Sequence, residues 1–128
     1  MILLLDTSTP VCRLIFIDGD SKQKFDWESN RELAKGLLKF LDEKLKSVGK
    51  TWTDISAIGV FEGPGSFTGL RIGITVANTI ADAQNIPIVS GQGSQWQAEV
   101  LSKLNSGINQ KIVLPFYGSE ANITTPRK

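Results

Sequence analysis

The chain has 128 residues, 41% of them hydrophobic and 21% charged, with 14 lysines and arginines against 13 aspartates and glutamates and a formal net charge of +1. That is the composition of one globular domain with a core of its own, and its four scattered arginines exclude a basic surface that grips nucleic acid unaided. No histidine is present and Cys12 is the only cysteine, which excludes Cys/His zinc sites, disulfide frameworks and histidine-dependent catalysis.

Met1 to Leu5 is apolar, but Asp6 ends the run after five residues. Such a segment is too short for a signal peptide or membrane span, and with a lone thiol it predicts a cytoplasmic protein. Ile2–Leu5 reads as a strand buried on both faces, followed by turn chemistry in Asp6-Thr7-Ser8-Thr9-Pro10. Val11–Ile17 reads as a second strand, Asp18-Gly19-Asp20 as a hairpin turn and Lys22–Trp27 as a third, half-exposed strand. Within the second strand, Cys12 is read as a small core residue, with a reactive thiol as the alternative.

The period changes from Arg31 to Val48, where Leu33, Leu37, Leu38, Phe40, Leu41, Leu45 and Val48 recur at helical spacing between charged residues. Ser29 or Asn30 is the expected amino-terminal cap, and Gly49 the stop. Ile55–Phe61 follows as a central strand, 70–83 as a second helix, 87–90 as a short strand and 95–104 as a third helix. Three strands followed by helix, strand, helix, strand and helix predict an α/β fold with a mixed five-stranded sheet and flanking helices, the ribonuclease-H-like or actin-like half-domain. The expected domain spans residues 1–104. Residues 105–128 are expected to form a tail with one short strand or docking segment at 112–117.

Glu62-Gly63-Pro64-Gly65-Ser66-Phe67-Thr68-Gly69 joins the fourth strand to the second helix. Glycines permit close backbone approach, and a helix amino terminus directs free N–H groups forward, so the loop is either an anion site or a tight turn capped by Ser66 or Thr68. It lacks the Lys-Ser/Thr ending of a P-loop. In the helix, Gly69, Gly73, Ala77 and Ala81 recur every fourth residue as a smooth ridge, while Ile72, Val76 and Ile80 project elsewhere. With one charge in its first thirteen residues this helix has almost no solvent face. Either the two long helices are both well-buried core elements, or they share an exposed apolar patch that pairs with another subunit.

Ile2-Leu3-Leu4-Leu5-Asp6-Thr7-Ser8-Thr9, Ile58-Gly59-Val60, the motif from Gly63 through Arg71 to Gly73, and Asn85-Ile86-Pro87-Ile88-Val89 together resemble the TsaB (YeaZ) family of bacterial proteins. The resemblance implies an actin-like (ASKHA) fold and a part in making N6-threonylcarbamoyladenosine beside the tRNA anticodon. It implies a non-catalytic scaffold that dimerises, with itself or with a TsaD-like catalytic subunit, through helices 31–48 and 69–83. The interface residues it implies are Leu33, Leu37, Phe40, Leu41, Gly69, Arg71, Ile72, Gly73, Val76, Ala77 and Ile80. ATP and metal are then expected on the partner, with no cofactor held tightly here, a TsaE-like ATPase joining through the complex and tRNA met only indirectly. Asp6, Thr7, Ser8 and Thr9 stand where actin-like ATPases have their first phosphate loop, here expected to be vestigial.

Usual members of that family carry a second actin-like half after the position of about Leu104, so the sequence is expected to be a minimal form or a divergent paralogue, with Pro115-Phe116-Tyr117 and Pro126-Arg127-Lys128 as a remnant of the tail. Two rival readings remain. One is a repurposed homodimeric module. The other is a ribonuclease-H-like nuclease that holds metal ions through Asp6 and Glu62, with Glu99 or Glu120 as the late carboxylate.

Overall fold

The computed structural model describes residues 1–117. Five strands, β1 (Ile2–Asp6), β2 (Val11–Asp18), β3 (Ser21–Glu28), β4 (Ala57–Gly63) and β5 (Ile88–Gln92), form one sheet in the order β3-β2-β1-β4-β5. β1, β2 and β3 pair antiparallel, whereas β4 joins β1 and β5 joins β4 in parallel. A hairpin meander followed by two strands that each enter from a helix gives this order, and the fold is the actin-like, ribonuclease-H-like half-domain.

Both faces of β1 are covered. Leu3 and Leu5 join Cys12, Leu14, Phe16, Ile58, Val60 and Ile88 beneath helices α1 (Leu33–Ser47) and α2 (Phe67–Gln84). Leu4 joins Ile15, Val89, Trp96 and Val100 beneath helix α3 (Trp96–Asn105) on the other side. β3 alternates as a half-exposed strand should: Phe25 and Trp27 are half-buried, while Lys22, Lys24, Asp26 and Glu28 are exposed.

Element boundaries differ from expectation where side chains found other partners. Neither Ser29 nor Asn30 caps α1. The Ser29 hydroxyl donates to the Pro10 carbonyl (3.0 Å), Asn30 adopts φ 47°, and a 3-10 turn at Asn30–Glu32 precedes the helix. Gly49 does end it, with φ 72° and an N–H donating to the Lys46 carbonyl at 3.0 Å. β4 begins at Ala57, because Ile55 and Ser56 belong to the connection and the Ser56 N–H donates to the Met1 carbonyl (2.7 Å). α2 starts three residues early, at Phe67, where the Ser66 side chain accepts from the Gly69 N–H at 3.2 Å.

Residues 112–117 form no strand. Their backbone groups find isolated partners instead: Val113 exchanges two hydrogen bonds of 2.9 Å with the Asn78 side-chain amide, and the Phe116 N–H donates to the Glu62 carbonyl at 2.7 Å. One N–H and the oxygen of the amide meet the carbonyl and N–H of Val113, which satisfies that single residue and does not extend a ladder. The proposed remnant Pro126-Arg127-Lys128 lies outside the described residues. No helix among the described residues is long and apolar enough to cross a membrane.

Cys12 is buried on the α1/α2 side of β2. Burial, aided by the charges of Asp6 and Asp26, pushes its thiol from an ordinary 9.0 up to about 12. The folded chain therefore holds this proton more tightly than the unfolded chain does. Its stabilising contribution is complete below pH 9.0 and is lost as the pH rises from there towards 12. Urea unfolding across this range should show a steeper loss of stability for the native sequence than for Cys12→Ala, and the native thiol should resist alkylation near neutral pH. Equal slopes for the two proteins would show that Cys12 does not titrate differently on folding.

Candidate functional site at the glycine-rich loop and paired helices

The turn after β1 and the loop before α2 are pressed together. Asp6 accepts from the Ser8 N–H (2.9 Å) and hydroxyl (2.6 Å), so its Oδ1 closes the turn locally. Thr9 bonds only within its own turn, to Val11. The Ser66 N–H donates to the Ser8 carbonyl at 2.9 Å, and a Cβ at Gly65 would stand 2.5 Å from that of Ser8. Thr7 is buried and its hydroxyl donates to the Gly69 carbonyl at 2.7 Å. A side chain at Gly69 would collide with the Thr7 carbonyl, and one at Gly73 with the Thr7 side chain. The smooth ridge predicted on α2 is thus real at its first two positions, but it receives Thr7 of the same chain. The loop Gly63, Pro64, Gly65, Ser66, Phe67, Thr68, Gly69 accordingly turns two of its polar groups, the Ser66 N–H and the Gly69 carbonyl, onto the 6–9 turn.

The helix faces sort the expected interface residues. Leu33, Leu37, Phe40, Leu41, Gly69, Gly73, Ala77 and Ile80 are all buried within the chain's own fold. The sheet presents a whole apolar face to α1 and α2, and covering it consumes most of their two stripes. Ile72 and Val76 are half-buried and Arg71 is exposed. These three, with Ala34, Thr68 and Thr75, line an open groove of about 310 Å³ between the helices. An adjoining hollow of about 280 Å³ shares Ala34, Thr68 and Ile72 and runs on to Thr9, Pro10, Ser29 and Asn30. Leu38, on the outside of α1, is 55% exposed. Ala34 and Thr75 escaped the sequence reading because neither carries the bulk that marks an apolar stripe.

Phe67, 56% exposed at the start of α2, packs on Tyr117 with ring centroids 4.4 Å apart. The Arg71 guanidinium lies 5.4 Å from the Phe67 ring centre. Towards its far end α1 carries charge instead: Asp42 pairs with Lys46 at 2.9 Å and accepts from the Trp52 indole at 3.2 Å. The Lys46 hydrogen bond holds the Asp42 carboxyl below its usual range.

The carboxylates of the nuclease reading are engaged elsewhere. Asp6 closes its turn, as above. Glu62 accepts from the Ser90 hydroxyl and, at 2.6 Å, from the Gln92 side-chain amide. Glu99 accepts from the Gln92 N–H at 3.1 Å and pairs with Lys103 at 3.2 Å, contacts that hold its carboxyl below the usual range. No group of three or more potential metal-ligating side chains gathers among the described residues, and Glu120 lies outside them.

A family model described as "TsaD: tRNA N6-adenosine threonylcarbamoyltransferase" matches residues 28–99. The chain is 29% identical over 108 residues to the tRNA threonylcarbamoyladenosine biosynthesis protein TsaB of Haemophilus influenzae, covering 84% of this chain and 46% of that protein. To the TsaB of Escherichia coli it is 36% identical over 89 residues, covering 69% of this chain and 38% of that one. Among solved structures, YeaZ from Pseudomonas aeruginosa superimposes with a TM-score of 0.67 at 31% identity, over 71% of this chain and 43% of YeaZ. Each match takes in less than half of the relative's own length.

Among the described residues, the Thr7 hydroxyl is the side-chain polar group of the first turn that bonds to α2. Thr7→Val keeps the shape and removes the donor, and should lower stability to urea by about 1–3 kcal/mol. Unchanged stability would show that the contact with Gly69 and Gly73 is held by packing alone.

Proposed function

Because the chain belongs to the TsaB (YeaZ) family, we propose that it is a non-catalytic subunit in the formation of N6-threonylcarbamoyladenosine in tRNA. In this reading the groove between α1 and α2 is the surface on which a TsaD-like catalytic subunit docks. The observation that carries it is the pair Ile72 and Val76, half-exposed in an open groove beside Ala34 on a fold whose other helix stripes are already buried. Apolar surface of this kind gains stability when a partner helix removes it from water. Leu38 of α1 and Phe67 of α2 are exposed large apolar side chains of the same two helices, and the Asp42–Lys46 pair gives α1 a polar end.

ATP and the metal belong to the partner in this scheme, in keeping with a sequence that holds no histidine. A TsaE-like ATPase and the tRNA are then reached through the assembled complex. The role of this subunit is to fix the arrangement in which its partner is active, so its own residues move no proton and make no bond to substrate.

Ile72→Lys and Val76→Lys each place a charge in the proposed interface, at a cost to the complex of about 3–5 kcal/mol. Pull-down with a tagged chain should recover a TsaD-like subunit, and either substitution should abolish that recovery while the far-ultraviolet circular dichroism is unchanged. Full recovery with both variants would place the interface elsewhere.

A further inference from the structure

The two edges of the sheet are finished differently. Along β5, the Gln110 N–H donates to the Ile88 carbonyl (2.9 Å), Asn109 accepts from the Ile88 N–H (3.1 Å) and Gln110 accepts from the Ser90 N–H (2.8 Å), so that edge is stopped by the chain itself. β3 is the opposite outer strand. It pairs with β2 along its whole length, from Asp18↔Ser21 to Val11↔Glu28, and no strand among the described residues pairs with its other side. An open edge of eight residues is a ready template for a further strand.

The charges on that strand are ordered. Lys22, Lys24, Asp26 and Glu28 lie on one face, opposite Ile17, Ile15, Arg13 and Val11 of β2, and all four are exposed. The other face carries Phe25 and Trp27, half-buried against Phe16 and Phe40 with centroid separations of 5.7 and 5.2 Å. None of the four charged residues takes part in an ion pair among the described residues. Two basic residues followed by two acidic ones make a stripe that is complementary to itself when the strand is reversed.

We propose that the chain pairs with a second copy of itself edge to edge, β3 against β3, about a two-fold axis at Phe25. In that antiparallel register Lys22 faces Glu28 and Lys24 faces Asp26 of the second copy, and symmetry repeats both pairs. Phe25 faces its own counterpart on the other side of the sheet. Moving the axis one pleat either way sets Lys24 against Lys24 or Asp26 against Asp26, so the stripe admits this register and opposes its neighbours. Charges that would otherwise guard an edge strand therefore act here to choose its occupant. The result is a continuous ten-stranded sheet, formed without Ile72 or Val76 and thus independent of the helix groove.

The test is sedimentation of the full chain over a range of concentrations. The native sequence should dimerise, more weakly at high salt. Lys22→Glu alone should weaken self-association about tenfold or more, and adding Glu28→Lys to it should restore the dimer, because the swapped pair is again complementary. The doubly substituted Lys22→Glu/Lys24→Glu and Asp26→Lys/Glu28→Lys chains should each be monomeric and should form a heterodimer when mixed. A native chain that stays monomeric throughout overturns the proposal. So does a dimer unmoved by these charge changes, one abolished by Ile72→Lys instead, or folded charge-reversed chains that do not associate with each other. Positions 22 and 28 face Ile17 and Val11 rather than Arg13, so this single variant and its rescue remain informative even where Asp26→Lys disturbs the strand.

Discussion

The seating of Thr7 against Gly69 and Gly73 sets the geometry of everything around the candidate site. Any side chain at either glycine would strike this residue, and the hydroxyl in the gap donates to the Gly69 carbonyl at 2.7 Å. Because α2 comes down this close, Leu70, Ile74, Ala77 and Ala81 reach the sheet core while Ile72 and Val76 are left part-way out, in the groove beside α1. The same approach brings the 6–9 turn onto the glycine-rich loop, where Ser66 and Ser8 share a backbone hydrogen bond. Of the loop's N–H groups, that of Ser66 is taken by the Ser8 carbonyl and that of Gly69 by the Ser66 hydroxyl. One small buried hydroxyl couples the sheet, the loop and the exposed helix face.

How much of this could be read from the sequence depended on whether a local pattern had one physical meaning. The five strands and three helices were legible because Ile2–Leu5, Val11–Ile17 and the Leu33–Leu45 stripe each have an unambiguous period. The ridge of small residues on α2 was legible as a close approach, yet not as an approach to Thr7, since the partner of a glycine leaves no trace beside it in the chain. The apolar excess on the two helices was overread for a related reason. Periodicity shows which residues share a face and is silent on how much sheet that face must cover, so Leu37, Leu41 and Ala77 looked available when the core needed them. The apolar run at 112–117 suggested a strand, and only the fold shows that the Asn78 side chain of α2 takes up Val113.

Family membership and geometry meet at one place. The matched family model spans residues 28–99, which contain α1, the glycine-rich loop and α2; between those helices the half-buried Ile72 and Val76 line one groove, and Leu38 and Phe67 are exposed outside its lining. The carboxylates that a metal-dependent nuclease would need are instead tied to Ser8, Ser90, Gln92 and Lys103. The scaffold role proposed above draws on three features: a sheet covered on both faces of β1, an open groove between paired helices, and an edge strand whose charges are ordered.

The most direct measurement is the yield of N6-threonylcarbamoyladenosine in tRNA, read by mass spectrometry in a reconstitution of the TsaD-like and TsaE-like subunits with tRNA, ATP and an activated threonylcarbamoyl donor, with and without this chain. The account predicts that the modified base forms with the chain present, fails without it, and does not form when the chain alone is given the donor, ATP and tRNA. Equal yields with and without the chain, or modification by the chain on its own, would contradict it.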